Sequence, residues 1–320
     1  MSLLLRLGWL CALALLMMES GCQLLRPTTR KADDTTNYCI QPAVFTTDTL
    51  QTGTSGAAEM TTWPALSADT AGLPPLSIRS RQLALAYGLG PTLRQLTRDD
   101  HLAFGMHRVS LVRQVAQAAT DALRLNEELE CQHQRADQAA LALQAAQIKR
   151  TNQLTVGSLL FGAASGTISA TVQDRNTNLV LTVITAGLSA GLGVSTLLVK
   201  DRYDYPVSRN LLAPVWYEYP RPALYPPGLW VVLNQPRTGR IDGDAPAPIH
   251  TLHRRWAQYN QLVGPHAAAQ QALYFGAGGS YQLDDLHTRS AMLNQVQAMV
   301  QLINQDLLKL LGEVSSLGPP

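Results

Sequence analysis

Residues 154–199 form a nearly uncharged stretch, and no other part of the chain restricts the fold as strongly. Its only ionisable side chains are Asp174 and Arg175, in the polar break QDRNTN that separates two apolar arms. As helices, the arms 154–172 and 179–199 would be about 28 and about 32 Å long, close to the hydrocarbon thickness of about 30 Å in a bilayer. The pattern predicts a helical hairpin whose arms are each long enough to span a membrane.

Small residues recur at every fourth position in both arms, and this spacing lets two helix backbones approach closely. The predicted packing positions are Gly162, Gly166 and Ala170 in the first arm and Gly187, Gly191 and Ser195 in the second. Three interpretations stay open. The arm lengths favour a membrane-associated hairpin, and the Ser, Thr, Gly and Ala of the first arm fit a hairpin buried in a soluble protein. The β-branched run 180–185 would also fit a β-hairpin.

The N-terminus has the parts of an export leader, with a basic residue followed by the apolar residues 7–18. Its ending, Ser20-Gly21-Cys22, resembles the lipobox of bacterial lipoproteins, although Glu19 stands where that motif usually has an apolar residue. The resemblance implies cleavage before Cys22 and acylation of this cysteine. An ordinary cleaved signal peptide is the alternative.

Cys39 and Cys131 are the cysteines that would remain free to pair after export, because Cys11 lies in the leader and Cys22 at its end. In an oxidising compartment we expect these two to form a disulfide, unless they are unrelated buried thiols. A disulfide that closes so long a loop stabilises the folded protein by at most about 4 to 5 kcal/mol in the chain-entropy model. No Cys-x-x-Cys pair and no cluster with metal-ligand spacing occurs, so the sequence predicts no redox centre, metal or cofactor.

Residues 99–150 contain a heptad seam, in which core positions alternate between steps of four and three residues. The pattern predicts a long helix. It packs either against a partner or, in the interpretation that we prefer, against the C-terminal helix of the same chain. The core positions are Leu111, Val115, Ala118, Ala122, Leu125, Leu129, Gln132, Ala136, Ala139, Leu143 and Ala146.

The remaining segments complete the prediction of a mainly α fold. Residues 41–76 are rich in Thr, Ser, Ala, Gly and Pro, which is typical of a flexible tether or of an arm wrapped loosely on a domain. Residues 200–248 alternate aromatic residues with prolines and exclude a long helix. They form either an interfacial aromatic belt or a loop laid on a helical bundle, with a short strand at 229–233. Helices at 249–263 and 283–311 would pack back as an antiparallel bundle.

The predicted organisation has six segments. They are a signal peptide (1–21), a lipid-anchored flexible tether (22–76), a helical region with the heptad helix (77–153), the apolar glycine-rich hairpin (154–199), a Pro/aromatic-rich irregular segment (200–248) and a C-terminal helical region (249–320).

Two fragments contain residue types that bind metals. His250 and His253 share a predicted helix face, but no carboxylate or third ligand is evident nearby, so solvated or capping histidines are the better explanation. Asp242 and Asp244 form part of a calcium-loop pattern that lacks its glutamate. Neither fragment predicts a metal site.

Two other fragments could take part in catalysis or anion binding. Residues 276–280 are glycine-rich and precede a helix, but they lack the lysine of a P-loop. Asp284, Asp285 and His287 could pair for acid-base chemistry, yet acidic residues in a first helical turn already stabilise the helix dipole. The sequence therefore predicts no catalytic residue and no enzyme.

Charge restricts the function further. The formal net charge is +2 and only 15% of residues are charged, so no nucleic-acid surface is indicated. Basic residues flank the hairpin on its exported side, which is the reverse of the arrangement expected in an inner membrane. We therefore predict an envelope lipoprotein of structural or scaffolding type at the outer membrane, facing the periplasm or the surface. Its expected partners are the lipid bilayer and a second copy or another envelope protein.

Two alternatives belong to other classes. Long helices that lead into a glycine-rich apolar hairpin resemble, in outline, the α-helical pore-forming proteins, which implies a membrane-active effector. The third hypothesis is a soluble periplasmic binding protein or enzyme in which the hairpin is buried.

Overall fold

The computed structural model describes residues 29–31, 39, 72–97, 101–171, 200–220, 222–236, 245–259, 262, 264–265 and 267–318. These residues form a mainly α structure, as predicted. The elements in chain order are β1 (Thr29–Lys31), α1 (Ile78–Ala86), α2 (Gly90–Leu96), α3 (His101–Thr171), β2 (Arg202–Pro206), α4 (Ala213–Tyr217), α5 (Pro227–Leu233), α6 (Pro248–Tyr259), α7 (Ala267–Phe275), β3 (Gly278–Tyr281) and α8 (Leu283–Ser315).

The chain divides into two compact units. The unit that we name the sheet unit comprises Met1–Asp33, Asp137–Tyr205 and Ser280–Leu286, and the unit that we name the helical unit comprises Asp34–Ala136, Pro206–Gly279 and His287–Pro320. Helix α3 has 71 residues and contributes to both units.

In the helical unit, the heptad positions of α3 are buried, as their spacing predicts. Leu111, Val115, Ala122, Leu129 and Ala136 are fully inaccessible to solvent. Helix α8 has its own buried apolar face, and that face is wide because its apolar residues recur at three, four and seven positions. Its buried apolar residues within the helical unit are Met292, Leu293, Val296, Val300, Ile303, Leu307, Leu310 and Val314.

Polar contacts fix the direction in which α8 runs along α3. Arg108, near the start of α3, donates a hydrogen bond to the carbonyl oxygen of Leu317, at a distance of 3.2 Å. Further along α3, Glu130 accepts a 2.7 Å hydrogen bond from the side chain of Gln297. The partner residues therefore occur in the reverse order, because Leu317 lies just beyond the C-terminal end of α8 and Gln297 lies in its middle.

Helix α1 is held at its N-terminal end by the far end of α8. The backbone N–H of Ser77 donates a 2.9 Å hydrogen bond to Oε2 of Glu313, and Arg79 Nε lies 2.7 Å from Asp306 Oδ2. The Ser77 hydroxyl accepts a hydrogen bond from the N–H of Ser80 and so caps the helix. Charged side chains of α8 thus position the short helix α1.

The described residues of 200–220 and 222–236 contain no long helix, as the proline density predicts. The short strand predicted at 229–233 is wrong. These residues belong to helix α5, which begins at Pro227. Proline is favoured in the first turn of a helix because it donates no N–H there. The next residue, Gly228, lies so close to Tyr87 that a Cβ atom would overlap the tyrosine ring, which fixes where α5 packs.

Three strands form a sheet in the order β1-β2-β3, and most of their residues belong to the sheet unit. The edge strand β1 is parallel to β2, and Thr29 is paired with Arg202 and Lys31 with Asp204. Just before β2, Asp201 forms an ion pair with Arg150 of α3, with 2.5 Å between Oδ1 and Nη1. Both side chains of this pair are largely buried, at 3% and 13% exposure.

Candidate functional site

A disulfide joins Cys39 to Cys131, with the two Cα atoms 5.5 Å apart. Cys39 is 4% exposed, and Cys131 lies on α3 beside the seam position Gln132. The bond therefore ties the N-terminal segment of the helical unit to the middle of its longest helix.

The polar position of the seam, Gln132, is 3% exposed, and its side-chain nitrogen donates hydrogen bonds within the helical unit. Its Nε2 donates to Glu128 Oε1 at 3.2 Å and to the carbonyl oxygen of Arg209 at 3.3 Å. Arg209 also lies 2.7 Å from Glu128 through its Nε. Burial raises the pKa of Glu128, because it disfavours the charged carboxylate, while Arg209 and Gln132 act in the opposite direction.

Next to this cluster, His133 and Ser290 are within hydrogen-bond distance, an arrangement that sequence reasoning missed. His133 Nδ1 lies 2.7 Å from Ser290 Oγ and 3.1 Å from the carbonyl oxygen of the same serine. A serine beside a histidine is the arrangement of a nucleophile and its base. However, Ser290 is 4% exposed, so a substrate would have to separate α3 from α8 to reach it. The pair therefore serves as a polar link between the two helices.

Most aromatic residues of the Pro/aromatic segment are packed into the protein rather than displayed as a belt. Trp216 is stacked between His253, at a ring-centroid distance of 4.3 Å, and Phe275, at 4.8 Å. Tyr225 is buried and donates a 2.8 Å hydrogen bond to the carbonyl oxygen of Leu211. Tyr217 and Tyr219 are exceptions, with 47% and 44% exposure.

The two fragments with metal-binding residue types make other contacts or lie outside the described residues. His253 stacks on Trp216, and His250 Nε2 lies 3.9 Å from Glu218 Oε2. Within the part of the chain that the structure describes, no three potential metal ligands come together. Asp242 and Asp244 lie outside it.

The other two fragments form the connection into α8. Residues 278–281 are strand β3, and Asn210 donates a 2.8 Å hydrogen bond to the carbonyl oxygen of Gly276. Asp285 accepts a 2.9 Å hydrogen bond from the backbone N–H of Gln282, immediately before α8. This carboxylate therefore caps the helix, which is the structural role expected of an acidic residue there.

The prediction of transmembrane helices in the hairpin is corrected by the structure. Among the residues that it describes, no helix combines the length and the hydropathy needed to cross a bilayer. The first arm is the C-terminal part of α3, and half of residues 154–171 are Gly, Ser or Thr. These residues lower the hydropathy below that of a membrane span.

Several predicted site residues cannot be placed. Residues 162, 166 and 170 belong to α3 by their backbone, and their side chains are not described. Cys22 and the second-arm residues Gly187, Gly191 and Ser195 lie outside the described residues. Acylation and small-residue packing at these positions stay predictions.

Comparisons of the chain with protein families, with characterised proteins and with solved structures found no match. The resemblance to bacterial lipoproteins therefore rests on the leader and Cys22 alone.

Proposed function

We propose that this chain is an exported, lipid-anchored scaffold protein of the cell envelope, without enzymatic activity. The observation that carries the proposal is the disulfide between Cys39 and Cys131, because such bonds persist in oxidising compartments and are rare in the cytosol. In this proposal the leader exports the chain and acylation of Cys22 holds it at the outer membrane.

The scaffold itself is an antiparallel helical bundle built around a coiled-coil-like pairing of α3 with α8. The buried seam and the reversed order of the Arg108–Leu317 and Glu130–Gln297 contacts support this pairing. The inaccessibility of Ser290 supports a structural role over catalysis. Long paired helices suit a protein that separates or aligns other components.

We further propose that residues 154–199 form a hairpin through which copies of the chain associate. The chain leaves α3 at Thr171 and is beside Arg150 again at Asp201. Residues 151–171 extend for about 32 Å as a helix, and the second arm 179–199 would have the same length. Leu159 and Leu160 on the first arm are 67% and 66% exposed, which supports a contact with another apolar surface.

Metabolic labelling with a tagged fatty acid, followed by membrane fractionation, tests the anchor. The wild-type chain should carry the label and sediment with membranes, whereas Cys22→Ala carrying an ordinary cleavable leader should do neither. Cys11→Ala is the matched control, since it makes the same change in the leader and keeps the proposed acylation site. A label that persists in Cys22→Ala, or reduced Cys39 and Cys131 in freshly isolated protein, would contradict the proposal.

Sedimentation velocity tests the hairpin separately. Gly162→Leu combined with Gly166→Leu should lower the proportion of oligomer, because the larger side chains keep two backbones apart. Gly157→Leu is the control, as it lies outside the four-residue pattern and has open space where a side chain would begin. An unchanged oligomer distribution in the double variant would exclude the small-residue contact.

A further inference from the structure

The outward face of α3 in the sheet unit carries a second heptad seam, which we name the outer seam. Its positions follow one another in alternate steps of four and three residues, a spacing that places them along one stripe of a helix. They are Leu141, Ala145, Ile148, Asn152, Thr155 and Leu159, and all six residues are exposed. The side chains of Leu141, Ile148 and Leu159 are more than half accessible to solvent.

The buried side of this part of α3 is the opposite one. Leu143 and Leu154 are buried, and each lies two residues from a member of the outer seam. Arg150, whose side chain is largely buried in its ion pair, is two residues from Ile148. Because an α-helix has 3.6 residues per turn, two residues correspond to about 200° around its axis. The outer seam therefore faces away from the side on which α3 is buried.

The chain's own return to α3 also takes place away from the outer seam. Asp201 brings the chain back to α3 by its contact with Arg150, on the face opposite to Ile148. Leu141 precedes Arg150 along α3 and lies beyond the point of return. The segment that follows Thr171 therefore does not end over the outer seam, which leaves this stripe open to another molecule.

The residues of the outer seam indicate which molecule this is. With Leu141 at heptad position d, Asn152 is at position a and is the only amide side chain of the seam. One Asn at an a position specifies the register and the number of strands of a parallel coiled coil, because it meets the same Asn of an identical helix. Among the flanking positions e and g from 141 to 159, only Lys149 is charged. Parallel pairing places Lys149 opposite Gln144 of a second copy, so no like charges meet.

We propose that the outer seam binds a second copy of this chain in a parallel, in-register coiled coil. The inference rests on the association of copies proposed above and gives it an orientation and a register. Gly162 and Gly166 continue the same steps along α3, so the predicted small-residue contact lies on the line of the outer seam. Apolar residues scattered singly on a surface need no partner, whereas these residues repeat at heptad spacing.

Cysteine crosslinking tests the register in the mature chain carrying Cys22→Ala, exported by an ordinary cleavable leader. Cys39 and Cys131 are joined in a disulfide, so a short bis-maleimide reacts with an added cysteine alone. Asn152→Cys should be crosslinked to a dimer, because residue 152 of one copy faces residue 152 of the other. Gln153→Cys is the matched control, since this neighbouring residue is exposed but lies about 100° around the helix. It should stay monomeric on a denaturing gel.

Sedimentation velocity of Ile148→Glu in the same chain measures what the outer seam contributes to the affinity. The dissociation constant of the dimer should rise by about tenfold or more, because in-register pairing places two like charges opposite each other. Gln153→Glu adds the same charge outside the outer seam and should leave the dissociation constant unchanged. Circular dichroism of both variants checks that they fold.

Two results of the crosslinking would overturn the proposal. One is equal or absent dimer formation by Asn152→Cys and Gln153→Cys. The other is a monomeric Asn152→Cys that a simple maleimide labels slowly, which would show that the chain covers its own outer seam. Dimers of Asn152→Cys together with an unchanged oligomer distribution in Gly162→Leu, Gly166→Leu would support the outer seam and exclude only the small-residue contact. The reverse pair of results would exclude the outer seam alone.

Discussion

Helix α3 contains two apolar stretches that differ in how they are used. Between Leu111 and Leu143 the residues at heptad positions are buried, whereas Leu123 and Leu141, which lie outside these positions, are exposed. Between Ile148 and Leu160 the helix carries fewer charges, yet Ile148, Val156 and Leu159 are more than half exposed. Burial along this helix therefore follows the spacing of apolar residues, which creates a stripe for a partner, rather than their number.

The difference between the two stretches of α3 also explains why the membrane prediction was wrong. That prediction relied on the length and low charge of residues 154–199, whereas the Gly, Ser and Thr residues of 154–171 lower the hydropathy of the arm that the structure describes. The first stretch contains several charged residues and is nevertheless the part of α3 with the most buried positions.

The largest expected effect on stability comes from shortening a buried leucine of the first stretch. A leucine of the second stretch serves as the comparison. Leu129→Ala should lower the free energy of unfolding by about 2 to 5 kcal/mol, because Leu129 is fully buried and leaves a cavity. Leu159→Ala should change it by no more than about 0.5 kcal/mol, since this leucine is 67% exposed. Urea unfolding measures both, and equal losses would refute the contrast between the stretches.

The disulfide, which is attached to the first stretch, should have the next largest effect. Replacing Cys39 and Cys131 by serine should destabilise the helical unit by about 2 to 4 kcal/mol, because the unfolded chain regains the freedom of a long loop. Thermal unfolding with and without reductant measures the loss. The double variant should be insensitive to reductant, and a wild-type protein that is equally insensitive would contradict the prediction.

The second stretch contains a buried polar contact, the ion pair between Arg150 and Asp201, although its apolar side chains are exposed. Removing one charge of this pair tests how much the polar contact stabilises the protein. Asp201→Asn should cost about 1.5 to 3 kcal/mol, because it weakens a hydrogen bond between charged groups. Asp284→Asn changes an exposed carboxylate in the same unit and should have little effect. Similar urea midpoints for the two variants would show that the pair contributes little.

The smallest effects concern pH and two glutamates of the helical unit. Partial burial acts to raise the pKa of Glu313, but hydrogen bonds from Ser77 and Ser80 outweigh it and lower the pKa below the ordinary 4.5. The carboxylate of Glu313 therefore contributes stability above pH 4.5 that is lost as the pH falls through the lowered value. Burial raises the pKa of Glu128, so ionisation of Glu128 costs stability as the pH rises through its range.

Unfolding of Glu313→Gln and Glu128→Gln as a function of pH checks these signs. The stability difference between wild type and variant should grow with pH for Glu313 and shrink with pH for Glu128. Slopes of the same sign would show that one of the two assignments is wrong.

Features that depend on local spacing could be predicted from the sequence. The seam positions from Leu111 to Leu143 follow from heptad spacing alone, and counting cysteines was enough to expect Cys39 and Cys131 to pair. The helix at 227–233 was missed because a short apolar run fits a strand and a helix equally well. Here the preceding prolines favour the helix.

Contacts between distant segments could not be predicted. Strand β1 has three residues and no distinctive pattern, so its pairing with β2 is not visible in the sequence. The same is true of the stacking of Trp216 on His253 and of the contact between His133 and Ser290. Each depends on the tertiary structure, which brings residues together that local propensity does not relate.

The parallel pairing of β1 with β2 also sets an order of folding events. Thr29 leaves the export machinery early in the proposed route, but it cannot find its register until Arg202 has followed. Contacts of such high sequence separation form slowly, because loop closure costs entropy before the pairing stabilises it. The chain between Cys22 and the assembled helices would therefore be long at first, and it would shorten only when β1 joins the sheet.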